Sequence, residues 1–419
     1  MSSYVADSAD IMAMSGKRLN PAELKIDLLC RGMLIDGKCR IKRDGRPVCS
    51  SLLDLASGLE MILPGDMSDL WVNVPILEKY VEGTPYHLQH AHVAYQLFDE
   101  RHGQTYAVRL APKPDWYDQS TTSGIPMSQI GMLQGTMLLI DLGKSDRFWN
   151  VNGIHEGGSD QTLKREAGRR VTANIEDIIE TAAAAQKKSG ITMVLLRGSF
   201  QNDGGLARIF PYVHALKQEV GILVGVQSPP ETDLRLYDHA RALGVDHFSF
   251  YFEFFSRDVL NRHAPDKAEN QAREHLMRAL EYCARLMGKG RVSGELIAGM
   301  EPIGDTMRGI DYFAGVGALP LICIFRPLRG TEIENSAAPD YPEMLCVFRH
   351  VYQACRAHNL PIGITPNVHL SVQPQSEDTL YLASDLLDSR AYQRWIFTMQ
   401  QVMRPYFLRR MRKHTTPQS

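Results

Sequence analysis

The feature that most constrains this chain is an alternation beginning near Thr136, in which short β-branched or apolar runs are each followed by an amphipathic helical stretch. The runs cover 136–141, 191–196, 221–226, 247–252, 291–299 and 319–325. The helical stretches between and after them cover 174–188, 205–220, 233–243, 268–287, 307–316 and 342–358. Parallel strands need a crossover long enough to hold a helix, so this succession predicts parallel βαβ units. No Gly-rich dinucleotide turn follows the first run, and six units fit a barrel better than an open doubly wound sheet. Gly190, Gly221 and Gly244 stand where a helix ends and the next strand begins, which is helix C-cap chemistry.

The flanks read differently. Residues 1–125 are expected to form a smaller α+β domain, with segments 91–97 and 104–110 flanking Asp99-Glu-Arg-His-Gly103 as a hairpin. Pro112, Pro114 and Gly124-Ile-Pro126 mark a linker into the barrel, assigned to 126–365. A C-terminal segment, 366–419, starts as a Pro- and Ser-rich loop and turns helical over 385–409.

Charge excludes several partner classes. The 46 basic and 48 acidic residues nearly cancel, so no nucleic-acid partner is expected, and the basic Arg409, Arg410, Arg412 and Lys413 fit a solvated helix end. No apolar run has the length of a membrane span, and Asp7 and Asp10 interrupt 1–17 as a signal peptide. Cys30, Cys39, Cys49, Cys283, Cys323, Cys346 and Cys355 are odd in number and widely spaced. Scattered reduced thiols in a cytoplasmic protein are the expectation.

In parallel (βα) barrels ligands bind at the C-terminal strand ends, so the loops after the six runs carry the candidate chemistry. They hold Asp146-Arg-Phe-Trp-Asn-Val-Asn-Gly153 with His155 and Glu156, then Arg197-Gly-Ser-Phe-Gln-Asn-Asp-Gly-Gly205. Glu253-Phe-Phe-Ser256 and Arg262-His-Ala-Pro265 follow the fourth run, Gly294-Glu-Leu-Ile-Ala-Gly-Met-Glu301 spans the fifth, and Phe325-Arg-Pro-Leu-Arg-Gly-Thr331 ends the sixth. Taken singly, each has an ordinary reading. Glu253 suits a helix N-terminal acid with Arg262 as its surface partner, Gly299 and Gly330 suit turns, and Asp146 and Asn150 suit a solvated loop.

Taken in order, the segments from Lys113 to about Glu334 resemble the radical SAM superfamily, in its biotin-synthase-related branch. The resemblance implies a radical-SAM-type (βα)6 partial TIM barrel that binds S-adenosylmethionine (SAM). It also implies a Gly-rich loop at the methionine part of SAM, formed by Arg197, Gly198, Gly204 and Gly205. Glu253, followed by Ser256, would take the ribose hydroxyls, Arg262 the methionine carboxylate, and the segment around Gly299 the adenine. Relatives hold a [4Fe–4S] cluster on Cys-x3-Cys-x2-Cys in the first loop. Asp146, Asn150 and Gly153 occupy that spacing here, and a cluster needs thiolates, so no cluster is expected at them.

These features lead to a SAM-binding enzyme of small-molecule biosynthesis with polar group-transfer or lyase chemistry, taking Asp146, His155, Glu156 and Glu301 as catalytic candidates and a small molecule as substrate. SAM's sulfonium makes its attached carbons electrophilic, so such chemistry needs only a placed nucleophile or base. Two alternatives stand beside it: a non-catalytic relative that binds a ligand or a protein partner, and a radical enzyme whose cluster sits on other cysteines. Cys30, Cys39 and Cys49 match no ligand spacing, and His87, His90 and His92 lack an acidic or cysteine partner at metal-ligand spacing. Structural roles are expected for both groups.

Overall fold

The computed structural model describes residues 18–37, 39, 58–66, 68–91, 94–142, 173–198, 205–263, 273–329, 333–360, 368–375 and 378–383, with Thr398 and Val402. Two sheets dominate a mixed α/β fold. The first is six-stranded, in the order β1-β4-β5-β6-β2-β3. Its strands are β1 (Leu34–Ile35), β2 (Leu59–Leu63), β3 (Leu70–Val74), β4 (Tyr86–Ala91), β5 (Ala94–Asp99) and β6 (Gln104–Leu110). The hairpin expected around residues 99–103 is the antiparallel β5–β6 pair, with Asp99 opposite Gln104. Helix α1 (Pro21–Arg31) packs on this sheet and opens with a capping box, in which Asn20 accepts from Glu23 N and Glu23 reaches back to Asn20 N.

The second sheet has seven strands in unbroken chain order, from β7 (Gly131–Gln134) and β8 (Met137–Asp141) through β9 (Met193–Arg197), β10 (Leu223–Gln227), β11 (His247–Glu253) and β12 (Val292–Ala298) to β13 (Leu319–Ile324). The six strands β8 to β13 are parallel and match the six sequence runs to within about two residues at each end. The added strand β7 is antiparallel to β8 across a tight turn. Gly135 makes that turn at φ 63°, where a Cβ would strike the His369 carbonyl oxygen.

Helices α2 (Ile175–Ser189), α3 (Phe210–Ala215), α4 (Arg235–Ala242), α5 (Arg257–His263), α6 (Arg273–Met287) and α7 (Ile303–Val316) lie in the crossovers, and α8 (Tyr341–Ala357) follows the last strand. The stretch expected as one helix over 205–220 is a 3-10 turn, the short α3 and a π turn in succession. Pro211 at the start of α3 lacks the N–H that would carry a preceding α-turn forward. Helices pack on the outer sheet face through aromatic contacts. The Tyr237 ring lies 5.3 Å from Phe248 and 5.9 Å from Phe250, and Phe252 lies 4.8 Å from Phe313. No described helix is long and apolar enough to cross a membrane.

Residues 368–375 form a strap between the sheets. Val368 and Leu370 pack with Met137, Met193 and Leu223 on the inner face of the parallel sheet. On the other side the Asn73 N–H donates to the Ser371 carbonyl at 2.8 Å, and Ser371 Oγ sits at 2.5 Å from Glu60. Lys25, buried in α1, donates to the Leu370 carbonyl at 2.9 Å and pairs with Asp378 at 2.6 Å. Residues 368–375 carry no helix or strand, and nothing in their sequence says where they pack. The helix expected over 385–409 lies outside the described residues apart from Thr398 and Val402.

Candidate active site

The inner face of the parallel sheet carries a continuous set of polar side chains near the C-terminal strand ends. Along β11 the sequence His247-Phe-Ser-Phe-Tyr-Phe-Glu253 alternates, and successive side chains of a strand point to opposite faces. The phenylalanines meet the helices, so His247, Ser249 and Tyr251 face inward. The same alternation on β12 turns Ser293 and Glu295 inward beside them, with Ser249 in register with Ser293 and Tyr251 with Glu295. Gly225 leaves room on that face, since a Cβ there would meet the side chains of Met193, Leu195 and His247.

These groups are hydrogen-bonded in series. His247 Nε2 lies 2.9 Å from Ser293 Oγ, Ser293 Oγ donates to Ser249 Oγ at 3.0 Å, and Ser249 Oγ donates to Glu295 Oε1. The Gln227 side chain at the end of β10 also bonds Glu295. At the neighbouring strand ends Arg197 Nη2 pairs with Asp141 at 2.8 Å. On β13, Cys323 Sγ lies 2.5 Å from Gln373 Oε1, so the strap closes the far wall.

Burial dominates the ionisation here. It raises the Glu295 carboxyl, and the bonds from Ser249 and Gln227 with the Arg197 charge pull the other way. It holds His247 neutral with a pKa lowered to about 3, helped by the Arg291 charge. Burial also pushes the Tyr251 phenol well up, together with Cys323, Glu253 and Glu295, against Arg197. The Cys323 thiol rises by burial and the Glu295 charge. Glu295 is half-buried on this face, between the buried Gly294 and Leu296.

The residues singled out in the sequence fall into distinct settings. Glu253 ends β11 with only 1% of its surface exposed and φ 62°, a left-handed conformation rare for a residue with a side chain. The strand register shifts between Tyr251 and Glu253. Glu301 staples two strand-end loops together, accepting from Ser256 N at 2.8 Å and Thr306 Oγ1 at 3.0 Å, and burial raises its carboxyl against those bonds. Gly198 donates its N–H to the Gln227 carbonyl, and Gly205 sits against Glu231. Gly299 turns the chain at φ 104°, packed on Pro339. Arg262 is exposed on α5, and burial, then the Arg262 charge, lower the neighbouring His263. Asp146, Asn150, Gly153, His155, Glu156 and Gly204 lie outside the described residues.

The scattered thiols and imidazoles have structural surroundings. Cys30 is buried in α1, its thiol pushed well up by burial and Asp27, and Cys39 Sγ donates to the Leu88 carbonyl at 3.2 Å. His87 pairs with Glu100 at 3.1 Å, and the His90 ring packs edge-on to Tyr95 at 4.8 Å. Cys49 and His92 lie outside the described residues. Among the described residues no group of three or more His, Cys, Asp or Glu side chains is arranged to hold a metal.

The inner set of Ser249, Tyr251, Ser293 and Glu295 is absent from the sequence-based site. Its signal is the strict polar alternation on β11. A parallel strand buried on both faces ordinarily reads as an unbroken apolar run, so the alternation marks a polar inner face.

No family model and no curated protein matches the sequence. Several solved structures are similar. The FeFe-hydrogenase maturase HydG from Carboxydothermus hydrogenoformans is 20% identical, over 45% of this chain and 45% of its own, with TM-score 0.36. Coproporphyrinogen III oxidase (HemN) from Escherichia coli, described as a radical SAM enzyme, is 16% identical over 40% and 41%, with TM-score 0.32. A radical SAM methyltransferase from Sphaerobacter thermophilus is 13% identical over 66% and 76%, with TM-score 0.36. The chain spans less than half the length of the first two. Similarity at this level is a likeness of fold alone.

Proposed function

We propose that the protein is an enzyme that binds SAM or a related nucleoside at the C-terminal ends of the parallel strands, in a (βα)6 partial barrel, and uses it in polar group transfer. One observation carries the reading: Glu253, a buried acid held in a left-handed conformation at the end of the fourth parallel strand. Non-glycine residues keep such a backbone only where their surroundings impose it, and these positions cluster at ligand sites. The sequence resemblance independently assigns this residue to the ribose.

Glu253 fits that group chemically, because one carboxylate accepts from two vicinal hydroxyls and charge-assisted bonds are strong where water is excluded. Ser256 and Glu301 hold the adjoining loop in shape. The backbone turning at Gly198 and Gly299 borders the same strand ends. When bound, SAM supplies an electrophilic carbon beside its sulfonium. The chain's own part is to orient the ligand and exclude water. A [4Fe–4S] cluster does not fit Asp146, Asn150 and Gly153, whose side chains offer no thiolate.

Calorimetric titration of SAM into wild type and Glu253→Gln tests the proposal. Wild type is expected to bind, and the variant to bind roughly ten- to a hundred-fold more weakly, as for loss of a charged acceptor. Absence of binding by wild type, or equal affinities, would overturn it.

A further inference from the structure

We propose that a cleft beside the strand ends, between helices α5, α6 and α7, binds the phosphoryl group of a phosphorylated small molecule. The inference goes beyond the proposed function and does not depend on SAM binding.

The cleft has a volume of about 530 Å³. Arg257 and Asp258 of α5, Arg273 of α6, and Asp305 and Arg308 of α7 line it, together with Phe255 and Ser256 from the loop after β11. Three guanidinium groups therefore meet two carboxylates around one open space.

Arg273 is the central group. It is half-buried, with its guanidinium carbon 4.4 Å from the centre of the Phe255 ring and Nη1 donating to the Phe255 carbonyl. A guanidinium has five N–H donors, and among the described residues Arg273 makes no other hydrogen bond and no ion pair within 4 Å. The stack and the single bond fix the plane of the fork and leave most of its donors unengaged. Burial and the Arg257 charge lower the Arg273 pKa, and outweigh Glu301, Tyr312 and Glu274, which raise it. Glu301 is itself engaged by Ser256 N and Thr306 Oγ1. The surroundings thus oppose the Arg273 charge, and an anion in the cleft reverses that.

The other two arginines are available to the same ligand. Arg257 pairs with Glu274 and Arg308 with Asp305, and both guanidiniums lie largely in water, where such pairs contribute little. The Ser256 hydroxyl makes no hydrogen bond among the described residues and adds a donor.

The number of donors selects the anion. One bidentate fork already saturates the two oxygens of a carboxylate. A phosphoryl group presents three acceptor oxygens and close to two charges at neutral pH, which matches three arginines and a serine. The cleft volume falls within the range of small-ligand pockets, roughly 300–1,000 Å³, so an organic part fits beside the phosphate.

Pyrophosphate and inorganic phosphate are the probes, titrated calorimetrically into the full chain, with acetate as the carboxylate control. Pyrophosphate is expected to bind saturably at one per chain, and acetate at least about tenfold more weakly. Arg308→Gln, at an exposed position, and Arg273→Gln, which keeps part of the stem on Phe255, should each weaken pyrophosphate at least about tenfold. Asp258→Asn removes a repelling charge and should tighten it about two- to fivefold. Arg285→Gln, exposed in the last turn of α6 and outside the cleft lining, should leave it unchanged. Absence of saturable binding, acetate binding as tightly as pyrophosphate, or equal affinities in wild type and Arg308→Gln would overturn the inference. A loss in Arg285→Gln as large as in Arg308→Gln would overturn it too, as diffuse charge attraction. So would displacement of pyrophosphate by SAM, because the cleft would then belong to the nucleoside site. SAM that fails to bind removes only the proposed function.

Discussion

Arg326, in the loop after the last parallel strand, donates through Nη2 to the backbone carbonyl of Asn73 at 2.7 Å and thereby ties the two sheets together. Its Nη1 reaches Asn73 Oδ1 at 3.2 Å and its Nε lies 3.7 Å from Glu78, with all three residues buried. Removing one partner of a buried ion pair strands the other charge. Arg326→Ala is expected to cost about 3–5 kcal/mol in urea denaturation. Arg326→Met combined with Glu78→Gln should recover part of that loss, because neither charge is then left alone. A cost under about 1 kcal/mol for Arg326→Ala would mean that the sheets are held by other contacts.

The pH dependence of stability should carry the mark of His247. Its folded pKa is depressed to about 3, so the unfolded chain binds the extra proton between there and the ordinary histidine value near 6.5. Stability from this group is therefore complete above about pH 6.5 and is lost as pH falls through the window, by about 1.4 kcal/mol per pH unit. From pH 6.5 to 4.5 wild type should lose about 2–3 kcal/mol more than His247→Gln. Comparing slopes rather than absolute stabilities cancels the packing change. Parallel slopes would contradict a neutral buried imidazole.

Gly299 separates a packing glycine from a ligand contact. At φ 104° an added Cβ would lie 2.8 Å from Pro339 Cγ. Gly299→Ala should cost about 2–4 kcal/mol in the absence of any ligand, from backbone strain and overpacking together. Gly304, inside α7, meets nothing nearer than 3.9 Å. Gly304→Ala should be neutral or stabilising by up to about 1 kcal/mol in the same thermal melts. A Gly299→Ala protein as stable as wild type would return that glycine to the ligand site.

The parallel strands were legible because each is a short apolar run with a helical period on either side, and those signals are local. The strands of the first sheet were harder. β2 and β3 are short, and β2 pairs with β6 more than forty residues away, with Met61 opposite Leu110. The strap was invisible for the same reason, since nothing in Val368-His-Leu-Ser371 says that two sheets will close around it. The inner site was legible and missed. Its signal lies in Ser249 and Tyr251 within β11, whereas the sequence-based site starts from the terminal Glu253. Glu301 shows the converse, an acid at a family-like position whose oxygens are engaged in holding a loop.

Arg262 gives the sharpest contrast between sequence and structure. The resemblance pairs it with the methionine carboxylate, where its loss from a desolvated cleft would cost on the order of 2–4 kcal/mol of affinity, roughly thirty- to a thousand-fold. The structure has it exposed on α5, while Glu253 is buried at the preceding strand end. A guanidinium in water contributes about 0–1 kcal/mol to any ion pair it makes. Arg262→Ala is therefore expected to leave SAM affinity within about fivefold of wild type. Arg262→Lys should match it, since no bidentate contact is at stake. Calorimetry on the three proteins decides the matter. A thousand-fold loss in Arg262→Ala, only partly restored by lysine, would mean that α5 swings its arginine onto the carboxylate when SAM arrives. The ligand would then be gripped by a residue that the ligand-free chain holds in solvent.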